Sequence, residues 1–329
     1  MKILVTGGAG FIGTHLCLTL ASSESNQVIS LDAMLEPSSK YREQILAKSG
    51  VRNINFQLGV DAGFEELAAG FDLVYHLAAE SHNDSSIASP GLSAKNNISA
   101  TIDVLEAARR QNFRLHIVST DEVFGDFPPG SNGYFKLDSN YRPSSPYSAS
   151  KASGDLLAMA WLRTFETRVS WSYCGNNYGR FQSPTKLIPR TVALLKAEKK
   201  PIVYGDGVNE RDWVHVSDHV KALELIGLEG GVGEGYMISA EDVVQNKAIF
   251  SRLLDVFEKP ADYLEHGIER PGHDFRYAMR MSKNLSSLGW TPKRKGIISQ
   301  LTNVADQMIS DHSSGVFPLV NVRDKGVSS

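Results

Sequence analysis

The chain has 329 residues, of which 42% are hydrophobic and 22% are charged, as in an ordinary globular protein of one large or two smaller domains. A net charge of only -3 gives no reason to expect a nucleic-acid partner or an anionic membrane surface as partner. The two cysteines, Cys17 and Cys174, are too few for a disulfide framework or a metal cage. With no signal-peptide pattern and no run of 18 apolar residues, the sequence predicts a cytoplasmic protein that does not span a membrane.

Strands and helices alternate along the first half of the chain. Apolar runs predict strands at 2–6, 27–31, 53–57, 71–77, 114–119 and 168–174. Helical spacing of apolar residues predicts helices near 11–22, 61–68, 90–110 and 146–166. This order predicts an α/β fold with a doubly wound parallel sheet of the Rossmann type.

The first strand leads into a turn that carries three glycines, Gly7, Gly10 and Gly13. In a strand-to-helix turn, residues without a Cβ let the backbone approach a pyrophosphate, whose charge rests on the helix N-terminus. The second strand ends at Asp32, whose carboxylate suits a ribose diol and repels a 2′-phosphate. The glycine turn and Asp32 together predict binding of NAD rather than NADP. The simpler alternatives are that the glycines form an ordinary tight turn and that Asp32 is an ordinary acidic residue at a strand end.

Tyr147 and Lys151 stand four residues apart behind Pro146, so both side chains share one face of a predicted helix. A lysine ammonium one turn from a tyrosine stabilises the phenolate and is expected to lower its pKa toward the working pH. Such a phenolate takes a proton from a substrate hydroxyl while hydride leaves the same carbon. The Tyr-x-x-x-Lys spacing is common and mostly without function in isolation, but here it follows a nucleotide-binding turn.

Thr120, Asp121 and Glu122 follow the fifth strand, and the carboxyl ends of such strands face the ligand crevice. Two adjacent carboxyl groups in different surroundings supply one acid and one base. The alternative is that both acids merely solvate the start of a loop.

The second half of the chain is less regular. Residues 126–146, rich in Pro, Gly, Ser and Asn, are predicted to form a long functional loop. Residues 1–174 are predicted to form an NAD-binding domain, with segment 214–240 returning to it. Residues 175–329 would then form mainly a smaller lobe for the substrate. The last 20 residues are predicted to be poorly ordered.

Eight motifs together carry a family resemblance over about residues 1–300. They are TGGAGFIG (6–13), HLAAESH (76–82), STDEVFG (119–125), SPYSASKAS (145–153), NNYG (176–179), KLIPR (186–190), RDWVHVSDH (211–219) and RPGHDFRYA (270–278). With them the chain resembles the extended short-chain dehydrogenase/reductase superfamily and, within it, the nucleotide-sugar 4,6-dehydratases, most closely those that use dTDP-glucose. The Thr-Asp-Glu triplet distinguishes these lyases from the related epimerases, which lack the acid pair.

The resemblance implies a mechanism for these residues. Tyr147 would deprotonate the sugar 4-hydroxyl, to which Thr120 also hydrogen-bonds, as hydride passes from C4 to NAD. Glu122 would then remove the C5 proton and Asp121 would protonate the departing 6-hydroxyl. Return of the hydride to C6 would give a 4-keto-6-deoxy sugar nucleotide and regenerate NAD.

The resemblance also implies binding residues. For the cofactor they are Gly7, Gly10, Phe11, Ile12, Gly13, Asp32, Leu77, Ala78, Ala79, Asn96, Tyr147, Lys151 and Asn177. For the nucleotide-sugar substrate they are Ser81, Thr120, Asn176, Lys186, Leu187, Tyr204, Arg211, Asn246, Arg270 and His273. It further implies a homodimer formed by helices 90–110 and 146–166. No metal and no nucleic-acid partner is expected.

Several positions depart from the family pattern. Segment 33–40 (AMLEPSSK) and Gly59-Val60-Asp61 differ where the family contacts adenosine, and Ser85, Thr185 and Phe275 replace the usual Arg, Glu and Arg. UDP-glucose, UDP-N-acetylglucosamine or another nucleotide sugar therefore stay open as substrates. A nucleotide-sugar 4-epimerase and an inactive NAD-binding regulator are the remaining alternatives.

Overall fold

A computed structural model describes the chain over residues 1–80, 89–268 and 274–319. Its centre is a seven-stranded sheet of the order β10-β6-β5-β4-β1-β2-β3, in which every neighbouring pair is parallel. The strands of this sheet are β1 (Lys2–Thr6), β2 (Gln27–Asp32), β3 (Arg52–Asn55), β4 (Leu73–His76), β5 (Arg114–Val118), β6 (Val169–Cys174) and β10 (Gly235–Ile238).

Helices cover both faces of the sheet and continue into the C-terminal half. They are α1 (Phe11–Ala21), α2 (Ser39–Lys48), α3 (Phe64–Leu67), α4 (Pro90–Gln111), α5 (Pro146–Phe165), α6 (Leu187–Lys196), α7 (Val216–Glu229), α8 (Asn246–Val256), α9 (Lys283–Ser287) and α10 (Ile297–Ser313). The strand order reverses beside β1, as in a doubly wound sheet. The predicted Rossmann-type fold is confirmed.

The strands are buried on both faces, as their continuous apolar runs predict. Leu4 of β1 belongs to one core, which contains α4 and α5, whereas Ile3 and Val5 belong to a second core with α1 and α7. A third core unites α6, α8 and α10. These cores hold the sheet rigid, so the loops at the carboxyl ends of its strands are held at defined positions.

Two small sheets lie outside the main one. β7 (Asn176–Tyr178) runs parallel to β9 (Glu210–His215), and β11 (Val243–Gln245) runs antiparallel to it. β8 (Ile202–Tyr204) pairs with β12 (Glu265–Gly267). Asn176 is the register partner of Trp213, and Val244 that of Arg211, so two predicted substrate residues, Asn176 and Arg211, share one small sheet.

The long loop predicted at 126–146 connects to the C-terminal half of the chain. Phe127 and Phe135 form isolated bridges to Arg276 and Met279, and their rings stack with centroids 4.2 Å apart. The loop is thus held against the strand ends where the predicted catalytic residues lie. No helix within the described residues is both long enough and apolar enough to cross a membrane.

Three details differ from the sequence prediction. Helix α3 is only one turn long, because Gly63 with φ +94° begins it and Ala68 ends it. Helix α2 was not predicted, since its apolar residues are few. The prediction of a disordered tail is wrong for residues 310–319: α10 extends to Ser313, and both Phe317 and Leu319 are buried. Residues 320–329 lie outside the described part of the chain.

Candidate active site

The glycine turn packs too closely to admit side chains. A Cβ on Gly13 would lie 2.1 Å from the carbonyl oxygen of Gly7, and one on Gly10 would lie 2.9 Å from the same atom. Gly7 has φ +69°, and a Cβ there would lie 2.8 Å from the backbone nitrogen of Ala78. Glycine is therefore required at all three positions so that β1, α1 and the loop after β4 can meet.

The N-terminus of α1 is open to an anion. Its N-cap is Gly10, no side-chain hydrogen bond caps it, and its first turn contains no acidic residue. The first N–H groups of a helix lack partners within the helix and carry its positive dipole end. Phe11 and Ile12 form the first helical turn here, so their backbone N–H groups are placed to meet a phosphate.

Asp32 ends β2 beside this turn. Its carboxylate accepts hydrogen bonds from the N–H groups of Ala9 at 3.1 Å and Met34 at 2.8 Å. Burial nevertheless raises the pKa of Asp32 above its ordinary value. The site thus places a carboxylate beside the helix N-terminus, the arrangement that recognises a ribose diol in dinucleotide-binding folds.

The loop after β4 brings Leu77, Ala78 and Ala79 to the same edge of the sheet. The N–H of Leu77 donates to the carbonyl of Thr6, and that of Ala78 donates to the Thr6 hydroxyl at 3.3 Å. The same hydroxyl lies 2.9 Å from Nδ1 of His76, whose pKa is lowered to about 3 by burial. Neutral His76 thus hydrogen-bonds to the Thr6 hydroxyl, which in turn binds the loop at Ala78.

Departure from the family at residues 59–61 has a local structural consequence. The Asp61 carboxylate accepts from the N–H of Gln57 at 2.7 Å and so closes its own exposed turn. The N–H of Gly59 donates to Asp103 of α4 at 2.7 Å. The Asp61 carboxylate therefore stabilises its own turn.

Shortly after β5, four residues form a one-turn 3₁₀ helix, Asp121–Phe124, with Thr120 as its N-cap. The Thr120 hydroxyl accepts from the N–H of Glu122 at 3.4 Å and lies 3.2 Å from Oδ1 of Asp121. This tight turn directs two consecutive carboxyl groups into the space beside α5. Within the described residues, Oδ2 of Asp121 is buried and has no hydrogen-bond partner.

The two acids differ in environment. Asp121 is 2% exposed, and burial, followed by the charges of Glu122 and Asp212, raises its pKa well above the ordinary value despite Arg211 nearby. Glu122 is only partly buried. Different surroundings for adjacent carboxyl groups are the condition for one acid and one base.

Tyr147 and Lys151 lie on the buried face of α5, which packs against the 3₁₀ turn. Lys151 Nζ donates to the carbonyl of Val118, at the end of β5, at 2.8 Å. Burial, then Glu122 and Asp121, raises the pKa of Tyr147. The sequence predicted a lowered value from Lys151, but burial and the two carboxylates act in the opposite direction.

Asp155, one turn beyond Lys151, is a buried carboxyl group that the sequence prediction missed. Its Oδ2 accepts from the hydroxyl of Ser119, the residue before Thr120, at 2.7 Å. Burial raises the pKa of Asp155 to about 7, although the charge of Lys151 opposes this rise. Its position at i+4 from Lys151 on an apolar helix was the only signal in the sequence.

Asn97 of α4 was also missed. Its Oδ1 accepts from the N–H of Glu80 at 2.8 Å, and its Nδ2 donates to the hydroxyl of Ser150 at 2.9 Å. It thereby links the loop after β4 to the helix that carries Tyr147. The neighbouring Asn96, named from the family resemblance, is partly buried on the same helix.

The small sheet formed by β7, β9 and β11 carries Asn176, Asn177 and Arg211. Asn177 Nδ2 donates to the carbonyl of Gly175 at 3.1 Å, and its Oδ1 lies 2.9 Å from Nδ1 of buried His219. Arg211 is 7% exposed, and its charge opposes the rise that burial causes in the pKa of Asp121. Its guanidinium donates to the carbonyls of residues 210, 274 and 275 at 2.8–3.1 Å.

The other predicted substrate residues are spread over the C-terminal half of the chain. Lys186 is the N-cap of α6 and Leu187 is its first residue, whereas Tyr204 ends β8. Asn246 begins α8, and its buried Oδ1 lacks a hydrogen-bond partner within the described residues. Three further predictions, Ser81, Arg270 and His273, lie outside the described residues.

The fold and the site together define a class: a dinucleotide-binding α/β protein of the short-chain dehydrogenase/reductase type, with a Tyr-Lys pair and an added acid pair. The sequence model of the GDP-mannose 4,6 dehydratase family matches residues 4–298. The chain belongs to this family.

Curated relatives and solved structures agree with this assignment. The chain is 39% identical to the dTDP-glucose 4,6-dehydratase of Mycolicibacterium smegmatis over 307 residues, which is 93% of this chain and 92% of that protein. It is 38% identical to the Salmonella typhimurium enzyme of the same name over 322 residues, covering 89% of this chain and 88% of that protein. DesIV, the dTDP-glucose 4,6-dehydratase of Streptomyces venezuelae, solved with NAD bound, superposes with a TM-score of 0.87 at 33% identity, covering 95% and 98% of the two chains.

Proposed function

We propose that the chain is an NAD-dependent hydro-lyase that converts a nucleotide-activated hexose, dTDP-glucose, into its 4-keto-6-deoxy form. The observation that carries this proposal is the packing of α5, which bears Tyr147 on its buried face, against the 3₁₀ turn that bears Asp121 and Glu122. Relatives that are 36–39% identical over about nine tenths of the chain carry the name dTDP-glucose 4,6-dehydratase, which supports this choice of substrate.

The residues around α1 fit NAD. The uncapped N-terminus of α1 suits a pyrophosphate, and the Asp32 carboxylate suits the adenosine ribose diol and disfavours a 2′-phosphate. When bound, NAD supplies an oxidant for C4 of the sugar that is returned unchanged at the end of the turnover. We propose that residues 1–174 with segment 214–240 form its domain, with 175–329 mainly binding the nucleotide sugar.

Tyr147 acts as the general base in this proposal. Its phenolate oxygen accepts the proton of the sugar 4-hydroxyl, and Thr120 hydrogen-bonds to the same sugar oxygen and fixes its position. The raised pKa of Tyr147 means that the phenolate forms only with help from nearby positive charge. Lys151 is the protein cation on the same helix face, four residues away, so we assign it to that role and to the nucleotide ribose.

The acid pair performs the elimination. Burial raises the pKa of Asp121 well above its ordinary value and so favours its protonated form, and we assign to it the proton that the departing 6-hydroxyl needs. Glu122, less buried, removes the C5 proton that the 4-ketone has made acidic. One carboxyl group cannot do both, because one proton must be taken and another delivered in the same elimination.

Arg211 is proposed to bind the substrate diphosphate, since a guanidinium donates two parallel hydrogen bonds to such a group. The Arg211 guanidinium already donates hydrogen bonds to the carbonyls of residues 210, 274 and 275. Binding of the diphosphate would therefore replace one or more of these bonds. Asn176, Lys186, Leu187, Tyr204 and Asn246 are proposed to complete the sugar and nucleotide contacts. Ser81, Arg270 and His273 are proposed partners from outside the described residues.

A homodimer is proposed through α4 and α5, which pack side by side. Both helices expose large apolar residues: Leu92 and Ile102 on α4, and Leu156 and Phe165 on α5. Two copies of this pair would cover these side chains in a four-helix arrangement.

The function is tested by incubating the purified protein with dTDP-glucose, UDP-glucose and UDP-N-acetylglucosamine and measuring product mass. We expect dTDP-glucose to lose the mass of one water. Loss of water from a different nucleotide sugar would correct the substrate and keep the reaction. A product of unchanged mass but altered C4 configuration would replace the proposal with a 4-epimerase, and no reaction with any sugar would overturn it.

A further inference from the structure

Arg42 of α2 is fully buried, which is unusual for an arginine. Its guanidinium donates to the Glu36 carboxylate at 2.7 Å, to the carbonyl of Phe181 at 3.0 Å and to the carbonyl of Ala9 at 3.3 Å. A buried cation is tolerated only when its charge is balanced and its N–H groups are paired. Arg42 therefore ties together three separate parts of the chain.

Glu36 balances the charge of Arg42. Burial by itself would raise the pKa of Glu36, but the charge of Arg42 and its hydrogen bonds outweigh burial and hold the pKa below the ordinary value. Glu36 is therefore ionised at neutral pH and the ion pair is intact.

Ala9 lies in the glycine turn, directly before Gly10, the N-cap of α1. Its carbonyl accepts from Arg42, and its N–H donates to the Asp32 carboxylate at 3.1 Å. The Arg42 guanidinium thus binds the carbonyl of Ala9, and the Asp32 carboxylate binds its N–H group. These two hydrogen bonds fix the orientation of the turn and therefore the direction in which the first N–H groups of α1 point.

The C-terminal segment covers Arg42 from the other side. The ring of Phe317 lies 5.2 Å from the guanidinium carbon of Arg42. It also packs against Phe181 at 5.7 Å and Tyr41 at 6.3 Å between ring centroids. Phe317 is itself buried, so it shields the Arg42 guanidinium from water, whereas the Glu36 side chain is 29% exposed.

Two further contacts fasten this segment to the loop after β7. Arg180 donates to both oxygens of Asp311 in α10, at 2.6 and 2.5 Å. The carbonyl of Arg180 in turn accepts from Nε2–H of His15 in α1, at 2.7 Å. The C-terminal helix is therefore linked through this loop to the helix that begins at the glycine turn.

We propose that Arg42 is a positioning residue for the cofactor: with Glu36, Phe181 and Phe317 it fixes the glycine turn and sets how tightly the adenosine half of NAD is held. This inference rests on the proposed function only in taking NAD as the cofactor. A site whose donors are already oriented loses less entropy on binding, so loosening Ala9 weakens affinity without removing any contact to the ligand.

The contacts confine the effect to one end of the cofactor. Ala9 hydrogen-bonds to Asp32, which we assign to the adenosine ribose, whereas Tyr147 and Lys151 lie on α5 beside the end of β5. Loss of Arg42 should therefore raise the dissociation constant of NAD and leave turnover at saturating NAD unchanged.

The test uses the cofactor-stripped full chain, titrated with NAD and separately with ADP-ribose. We expect Arg42→Met to raise both dissociation constants by about tenfold, the change that corresponds to about 1.4 kcal/mol. Phe317→Ala should raise both by a smaller factor, and Arg42→Lys should recover part of the affinity, since it keeps the charge. The turnover number at saturating NAD should stay within about twofold of wild type, because the nicotinamide end is untouched.

Arg110→Met is the matched control. Arg110 pairs with Glu65 at 2.8 Å, the same kind of ion pair, but its side chain is half exposed and remote from the glycine turn. This variant should bind both ligands as wild type does. Thermal unfolding of each variant shows whether it is folded before its affinity is compared.

Wild-type affinity for NAD and ADP-ribose in folded Arg42→Met and in Phe317→Ala would overturn the inference, as would a fall in turnover at saturating NAD without a change in affinity. If Arg42→Met does not fold, Phe317→Ala decides alone. A failure of the proposed function is distinguishable from a failure of this inference, because the wild-type chain itself would then bind no NAD or release no dehydrated sugar.

Discussion

Asp121 and Glu122 are consecutive residues with different chemistry. Oδ2 of Asp121 is buried beside Asp212 and the pKa of Asp121 is raised, whereas Glu122 is only partly buried. The 3₁₀ turn capped by Thr120 makes this difference possible, because it rotates successive side chains to different directions. Their proposed roles as acid and base follow from these two environments.

Glu122→Gln should stop the reaction after the first step, because a neutral amide cannot remove the C5 proton. We expect the enzyme-bound cofactor to accumulate in its reduced form when dTDP-glucose is added, with no loss of water. Absorbance of the reduced nicotinamide and product mass measure the two steps separately.

Tyr147→Phe is the comparison for that variant, since without the phenol no reduced cofactor should form. Normal turnover of Glu122→Gln, or normal cofactor reduction by Tyr147→Phe, would refute the corresponding assignment.

Asp155 gives a prediction about stability and pH. Its pKa is about 7 in the fold, against 3.8 for the free side chain, so the native state keeps a proton that the unfolded chain has lost between these values. The contribution of Asp155 to the free energy of unfolding therefore falls as the pH rises through this window. An asparagine side chain at this position cannot ionise, so Asp155→Asn should gain about 2–3 kcal/mol relative to wild type between about pH 5 and about pH 8.5.

Urea unfolding of the wild type and the Asp155→Asn variant at both pH values measures this change. Because both proteins contain the same other titrating groups, their difference isolates Asp155 from the buried histidines. A difference that stays constant over the range would contradict the raised pKa.

At the scale of an element, the start of α5 determines where Tyr147 stands. Ser145 and Ser148 form a reciprocal capping box, and Pro146 occupies the first turn. The Ser145 hydroxyl accepts from the N–H of Ser148 at 3.1 Å, and the N–H of Ser145 donates to the Ser148 hydroxyl at 3.0 Å. Tyr147 lies between them, so the cap fixes the first turn that carries the proposed base.

Ser145→Ala should lower the free energy of unfolding by about 1 kcal/mol, the usual cost of losing an N-cap hydroxyl. Ser153→Ala, in the interior of the same helix, is the control and should change stability by only a few tenths of a kcal/mol, since alanine is a good helix former. Chemical denaturation of the two variants gives the comparison. Equal effects of the two substitutions would show that the cap contributes nothing special.

Helix α2 illustrates the opposite case, in which element-level reasoning fails. Its residues SKYREQILAK are mostly polar, and only Ser39, Arg42 and Leu46 are buried. An arginine normally lies on the polar face of a helix, so the sequence offered no reason to place Arg42 inside. Its burial depends on Glu36, just ahead of the helix, and on Phe181 and Phe317 from distant parts of the chain.

At the scale of the whole molecule, the proposed dimer depends on an apolar face that one chain leaves exposed. Leu156 of α5 is 56% exposed and lies on the same helix pair as Leu92 and Ile102. Leu156→Glu should shift the protein to a monomer, because a carboxylate buried in an apolar interface without a partner is strongly unfavourable. Light scattering coupled to gel filtration measures the mass.

Leu228→Glu is the matched control for the dimer, since Leu228 is 43% exposed on α7, away from this helix pair. It should leave the mass unchanged. A wild-type protein that is already monomeric, or a Leu156→Glu variant that keeps the dimer mass, would refute this interface.

The sequence by itself determined the features that depend on near neighbours. The glycine spacing predicted the turn between β1 and α1, the Tyr147–Lys151 spacing predicted one helix face, and the alternation of strands and helices predicted the doubly wound sheet, which is confirmed. These patterns are readable because backbone conformation and helix periodicity act over a few residues.

Only the tertiary structure decided which polar groups are buried. The pKa values of Asp121, Tyr147 and Asp155 are raised by burial first, and burial comes from segments far apart in the chain. For the same reason the sequence could not place Arg42 beneath Phe317, and the tail prediction was wrong for residues 310–319. Desolvation is a property of the assembled core, so local sequence patterns do not contain it.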